Sequence, residues 1–265
     1  MLAMVEVREA VHVLLLRRLA DAVPQGAVVL KGGVNLRLFF GSRRHSEDCD
    51  LDLDGGAREP YISTVHETLR GAWLRSRLAA LGVERVDYSG RPAKNTDTTI
   101  RFKLGVTSHG GVRLPTRLEA SLRGGRRADQ PVRERVAADI AAQYLAPAEA
   151  ALEIWHYPRP VAIRQKLRAL AGRALPQARD VFDLWVLGCG DLAAVDVAAV
   201  RRGLATEELR EAGRRTWEIG YEQFRDQVVE FLADDDQRAL DSGREWESRQ
   251  LFVAELIDAL LRAPE

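Results

Sequence analysis

Apolar and polar positions along the chain switch between a helical and a strand rhythm, and the switches mark its elements. Residues 5–22 set Val5, Val11, Leu14, Leu15 and Leu19 on one face at helical spacing, and Pro24 closes the segment. The short apolar run 27–30 stops at Gly32-Gly33, as a buried strand would. Residues 35–40 read as a short helix ending at Gly41. From 49 to 54 the pattern has a strict period of two: Cys49, Leu51 and Leu53 are apolar, while Asp50, Asp52 and Asp54 are acidic. A long helix is expected over 61–81, with Gly82 as its cap.

Three extended segments follow, at 83–88, 98–107 and 112–122, with Gly110-Gly111 as the hairpin turn between the last two. Beyond Pro131 the pattern is mostly helical apart from a strand at 152–156, and Pro160 and Pro176 stand where proline opens a helix. No repeat or low-complexity linker interrupts the chain. These elements predict an α+β protein, with a mixed-sheet domain over residues 1–130 and a mainly helical domain over 131–265.

Composition adds limits. With 46% hydrophobic and 29% charged residues the chain is globular rather than disordered. Its 39 basic and 39 acidic residues cancel, which excludes a uniformly basic nucleic-acid coat but not a dipolar arrangement. Residues 101–135 hold nine basic residues against three acidic ones, and residues 206–265 hold sixteen acidic against eight basic. Only four of the 39 cations are lysines, at 31, 94, 103 and 166. Each is a candidate for a place where a compact ammonium fits and a planar guanidinium does not. Cys49 and Cys189 make neither a disulfide framework nor a zinc cluster, and Cys49 belongs with the core face of its strand. The five histidines show no metal spacing. With no membrane-length apolar run and no signal-peptide shape, the expected compartment is the cytoplasm, with no membrane partner.

The chemistry concentrates in residues 30–54. On a strand, Asp48, Asp50, Asp52 and Asp54 leave one face, and carboxylates two residues apart are close enough to share a divalent cation. Mg²⁺ prefers one or two protein carboxylates and completes its shell with water and phosphates, so such a pair suits a nucleoside triphosphate. Gly32 and Gly33, ahead of a short helix, let backbone approach a phosphate at a helix N-terminus. The competing reading is a solvated acidic edge strand after an ordinary turn.

Gly-Gly, a short helix and Asp-h-Asp on a strand resemble the DNA polymerase β-like nucleotidyltransferase superfamily. The wider wording, Leu30-Lys31-Gly32-Gly33, Leu36-Arg37-Leu38, Gly41, Arg44, Ser46, Asp48 and Asp50, is similar to the AbiEii/AbiGii nucleotidyltransferase toxins of bacterial type IV toxin–antitoxin systems. A second block, 165–170 followed by 179–185, resembles that family's lysine-bearing helix and its Arg-Asp-x-x-Asp-Leu helix. The resemblance implies a polymerase β-like fold whose helical domain contributes to the active-site cleft. It also implies an enzyme that moves an NMP from an NTP to an acceptor, the 3′ end of tRNA or another structured RNA. A separately encoded antitoxin is the implied partner.

Under that reading Asp48 and Asp50 bind Mg²⁺ or Mn²⁺, and Asp52 and Asp54 are secondary. Glu119 is the candidate third acid, with Asp87 as rival and pairing with Arg117 or Arg101 as the plain alternative. Lys166 is either a phosphate partner or a snorkelling surface lysine. The resemblance places Asp183 in the active site, and Asp180 either caps the helix or pairs with Arg179. Lys31, Gly32, Gly33, Arg37 and Ser46 are the nucleotide-binding candidates. Ser46 either binds a phosphate oxygen or caps the turn, and Lys31 lines the pocket or ends a strand. Arg37 and Arg44 orient phosphates or pair with the acidic strand. The stretch 101–135 contains only Phe102 as an aromatic, which disfavours base stacking but allows a grip on phosphates by shape. A basic groove beside the acids favours RNA, and a closed acidic pocket favours a cationic small molecule. A non-catalytic module of the same fold is the remaining reading.

Overall fold

A computed structural model describes residues 2–122 and 129–264. Contacts divide the chain into two units, Met1–Phe39 with His45–Tyr157, and Phe40–Arg44 with Pro158–Glu265. The boundary expected near residue 130 therefore falls after Tyr157, because the intervening segment supplies two strands to the sheet.

The first unit contains α1 (Met4–Ala22), β1 (Val28–Lys31), α2 (Gly32–Phe39), β2 (Asp48–Leu53), α3 (Arg58–Arg70) and α4 (Ala72–Ala80). It continues with β3 (Val83–Tyr88), β4 (Lys94–Thr96), β5 (Thr99–Ser108), β6 (Arg113–Ser121), β7 (Val132–Arg135), α5 (Ala138–Tyr144) and β8 (Glu153–His156). The strands form one mixed sheet in the order β3-β5-β6-β2-β1-β8-β7, with β4 on β5. β2 pairs antiparallel with β1 and parallel with β6. The fold class expected from the pattern is thus present.

Period-two patterning sorts the sheet into two faces. Cys49, Leu51, Leu53, Ile100, Phe102, Leu118 and Ala120 are buried on one, where α1 packs against β5, β6 and α3. The other face carries the alternate, charged positions of β2, β5 and β6. Two differences from the expected elements have local causes. The 61–81 helix is broken at Gly71, whose backbone is extended (φ −70°, ψ 148°) and where a Cβ would approach the Glu67 carbonyl to 2.9 Å. β4 and β7 are short edge strands made mostly of exposed positions, with no buried face to give them an alternating pattern. Pro160 opens its helix as expected, whereas Pro176 lies before the cap of the next.

The second unit contains α6 (Arg159–Gly172), α7 (Ala178–Leu187), α8 (Val197–Arg201), α9 (Thr206–Thr216), α10 (Tyr221–Gln227), α11 (Asp234–Leu240) and α12 (Gly243–Arg262). Its core stacks Phe224 on Trp246, ring centroids 4.9 Å apart, and closes α7 against α12. Among the described residues no helix is long and apolar enough to cross a membrane.

At the end of α7, Gly188 lies against the ring of Phe252, leaving no room for a Cβ. Gly188→Ala is expected to overpack this seam and lower unfolding stability by about 1–3 kcal/mol, read from the urea midpoint at unchanged m-value.

Candidate active site

The acidic strand is held at both edges. On one side β1 ends at Lys31, opposite Asp50, and the chain turns straight into α2 at Gly32. Gly32 has φ +70°, and a Cβ there would lie 2.7 Å from Asp50 Oδ2 and 3.3 Å from Asp50 Cβ. Glycine is required on both counts: the backbone is left-handed and the space is filled by a carboxylate. Asp50 thus rests against the first residue of α2, where the helix dipole favours negative charge, and α2 carries no acid of its own in that turn. Gly33 is buried within the same turn.

On the other side β6 sets Arg117 opposite Asp48 and Glu119 opposite Asp50. Asp48, Asp52 and Glu119 each meet a cation. Arg117 donates to both oxygens of Asp48, with Nε 2.9 Å from Oδ1. Hydrogen bonding to Asp48 raises the guanidinium pKa further. Lys31 Nζ lies 2.5 Å from Asp52 Oδ1, and the Tyr157 hydroxyl donates to Asp52 Oδ2 at 2.6 Å. Arg101 Nε lies 2.5 Å from Glu119 Oε2, so the pairing alternative for Glu119 is met by Arg101. Asp54 caps the turn that follows, accepting from Gly56 N at 3.0 Å.

A hard cation needs oxygen donors with room left for water and phosphate. Asp48 and Asp50 present only oxygen, from adjacent positions of one strand face, and both are half-buried. Among the described residues no three His, Cys, Asp or Glu side chains stand where they could hold a metal ion together. Two carboxylates on an accessible face suit a cation that keeps water and phosphate in its shell. The residues fit. Asp87 pairs with Arg85 at 2.8 Å on β3, with β5 and β6 between it and β2, whereas Glu119 neighbours Asp50 directly.

Other expected residues take different roles in this arrangement. Ser46 donates its hydroxyl to the Asp48 carbonyl at 2.9 Å, the turn-capping alternative. Arg37 turns away from the acidic strand: its Nε lies 3.1 Å from each oxygen of Glu9, a buried acid of α1 that also binds His45. Burial pushes the Glu9 carboxyl up, but His45 and Arg37 outweigh it and hold it below its ordinary range. A second strut escapes sequence reasoning altogether. Thr116 donates to the Glu47 carbonyl at 2.5 Å, and His12 meets the same hydroxyl at 2.7 Å. Since the hydroxyl proton is spent on Glu47, His12 Nε2 is the donor, and burial lowers its pKa to about 4, keeping it neutral.

Beside Asp48 a groove of about 570 Å³ is lined by Lys103, Arg113, Arg117, Asp87 and Tyr88 among others. Arg123, Arg126 and Arg127, part of the basic stretch noted in the sequence, lie outside the described residues.

In the helical unit, Lys166 is not a snorkelling surface residue. Its ammonium lies between two aspartates one turn apart on α7, 2.6 Å from Asp183 Oδ2 and 3.4 Å from Asp180 Oδ1. Asp183 also accepts from Arg44 Nη2 at 3.1 and 3.2 Å, so Arg44 serves this cluster. Asp180 is held by Arg173 Nε at 2.7 Å rather than by Arg179. Both aspartates are fully buried. For Asp183, burial raises the pKa, but Arg44 and Lys166 outweigh it and the net shift is downward.

A carboxyl depressed in the folded state stabilises the fold above its unfolded pKa, near 3.9, and loses that contribution as pH falls through the folded value. The wild-type protein is therefore expected to lose stability as pH drops below about 4, with Asp183 and Glu9 contributing in the same sense. In urea titrations at stepped pH, Asp183→Asn should be less stable at neutral pH and show a flatter acid limb. An unchanged acid limb would remove Asp183 from this account.

The fold is similar to the crystal structure of JHP933 from Helicobacter pylori, at 16% identity and TM-score 0.59, covering 99% of this chain and 94% of that one. It is also similar to MenT4, a nucleotidyltransferase toxin from Mycobacterium tuberculosis H37Rv, at 16% identity and TM-score 0.58, covering 98% and 85%. At that identity both speak for the fold alone. No curated protein matches the sequence significantly. The family model described as "Nucleotidyl transferase AbiEii toxin, Type IV TA system" matches residues 14–255. Nucleotidyltransferases take an NTP and generally use a divalent metal, and a type IV system pairs its toxin with an antitoxin. Because the match runs from α1 into α12, across both units, the chain belongs to the AbiEii family of nucleotidyltransferase toxins.

Proposed function

We propose that this toxin transfers a nucleoside monophosphate from an NTP to the 3′ end of an RNA, with tRNA as the acceptor class, in the bacterial cytoplasm. The observation that carries the acceptor assignment is the groove beside Asp48. Beside the acids Glu47, Asp48 and Asp87 it presents Lys103, Arg113 and Arg117, a cluster of cations that disfavours a cationic small molecule. The acceptor's 3′ oxygen bonds to the α-phosphorus as the bond from that phosphorus to the bridging oxygen breaks. Pyrophosphate leaves with the bridging oxygen, and the hydroxyl proton passes to solvent.

Asp48 and Asp50 are proposed to hold Mg²⁺ or Mn²⁺, with Glu119 as the neighbouring third acid. The ion supplies neutralisation of the triphosphate charge. The chain's own contribution is placement. Gly32 and Gly33 set the first turn of α2 against Asp50, beside the proposed seat of the phosphates, and Lys31 and Ser46 border that turn and β2. Arg37 is assigned to bracing α1 against α2 through Glu9. Lys166 is proposed to meet nucleotide phosphate with Asp183 as its positioning partner, supported by the 2.6 Å pair and by the second motif block.

The test is incubation with total RNA, Mg²⁺ and each α-³²P-labelled NTP in turn. Wild-type protein is expected to label RNA with at least one nucleotide. Asp48→Ala and Asp50→Asn should lower labelling at least ~100-fold, since each removes charge stabilisation worth several kcal/mol. Labelling of no RNA by the wild type would sink the acceptor assignment, and undiminished labelling by Asp48→Ala would sink the site.

Gly32→Ala is expected to keep the fold, by circular dichroism, yet lose roughly 100-fold in labelling because its Cβ displaces the Asp50 carboxylate.

A further inference from the structure

We propose that Lys103 and Arg113, with Arg117 between them and Asp48, grip the phosphate backbone of the acceptor strand, on the side of β2 away from α2. This rests on the reading of the protein as an RNA nucleotidyltransferase.

The first observation is a like-charge pairing built into the sheet. Lys103 on β5 stands directly opposite Arg117 on β6. Such a pair works against strand association unless something negative lies across it. Arg113 adds a third charge to the same face. Two positions along β5 from Lys103 is Gly105, and the guanidinium of Arg113 occupies the space where a side chain at Gly105 would stand. The missing side chain lets Arg113 reach back across β5 toward Lys103. Positions two apart on a strand are about 6.7 Å apart, which suits successive phosphates of an extended strand.

The second observation is that these charges are unspent. Lys103 and Arg113 are exposed and, among the described residues, make no ion pair or side-chain hydrogen bond. The groove also holds three acids, Glu47, Asp48 and Asp87, and each has a partner. Asp87 pairs with Arg85 at 2.8 Å, and Glu47 faces Arg8 at 3.9 Å. Asp48 is bound by Arg117 and is the proposed cation ligand. Once Asp48 serves a cation, Arg117 gives up its hydrogen-bonded partner, and Lys103 and Arg113 have no ion pair among the described residues.

Sheet order decides which anion they serve. β1 and the start of α2, the proposed seat of the NTP phosphates, lie on one side of β2, while β6 and β5 lie on the other. In-line displacement needs attacking and leaving oxygens on opposite sides of the phosphorus. The acceptor therefore enters over β6 and β5. Among the described residues Tyr88 is the one aromatic lining the groove, so the grip is on backbone rather than bases and carries little sequence preference.

The experiment titrates the full-length protein against a fluorescein-labelled RNA hairpin with a single-stranded 3′ tail, by anisotropy over a series of salt concentrations. Lys103→Gln, Arg113→Gln and the double variant are compared with wild type. Each substitution is expected to weaken binding and to reduce the slope of log K against log salt by about one. In the labelling assay the double variant should show a raised KM for RNA, with the KM for NTP unchanged. A double variant that keeps wild-type RNA affinity and slope, while wild type labels RNA, overturns this inference alone. A raised KM for NTP instead would assign the groove to the donor and also overturn it. Wild-type protein that neither binds nor labels RNA removes the acceptor reading and this inference together.

Discussion

The constraint on which the sheet unit depends is the repulsion along β2. A strand that buries Cys49, Leu51 and Leu53 on one face has to send Asp48, Asp50 and Asp52 out of the other, at spacings where like charges oppose the fold. The neighbouring elements are arranged around that cost. Arg117 comes from β6, Lys31 from β1, and the N-terminus of α2 is brought up to Asp50 by a glycine that leaves its side-chain space to the carboxylate. Register does the matching. A slip of one residue in either pairing would set hydrocarbon opposite charge along the whole strand.

The helical unit answers a related problem by burial rather than display. Asp180 and Asp183 are inside, so their charge has to be met within hydrogen-bond reach, and Lys166, Arg173 and Arg44 do so from three segments. A single ammonium sits between the two carboxylates, a place that favours a point charge over a planar fork. Two of the four lysines thus face carboxylates, at Lys31 and Lys166, and a third, Lys103, stands in the groove beside Asp48. The zero net charge is the sum of paired acids on a sheet face, a buried ionic cluster and a helical part rich in acid.

Much of this was legible in the sequence because it is local. Strict alternation at 49–54 specified both the strand and its two faces, and Gly32-Gly33 followed by a short helix specified the turn beside it. Gly71 was not legible as a break, because Leu69, Leu74 and Leu78 keep an apolar stripe running through it, and one glycine does not by itself end a helix. β7 was missed because exposed positions leave no period to read. Side-chain partners were the hardest part. The Arg37–Glu9 pair joins positions 28 apart in sequence, and the Arg44–Asp183 pair joins positions 139 apart. No spacing rule reaches that far, so the residue types that do chemistry were visible while the partners that hold them were not.

The parallel pairing of β2 with β6 has a consequence for how the chain matures. β2 finds β1 across one short helix upstream, but its other edge waits for a strand 69 residues further along, itself delivered as the second arm of the β5–β6 hairpin. Closing so long a loop is slow compared with forming the hairpin. During synthesis the acidic face therefore stays unfinished until the hairpin has emerged.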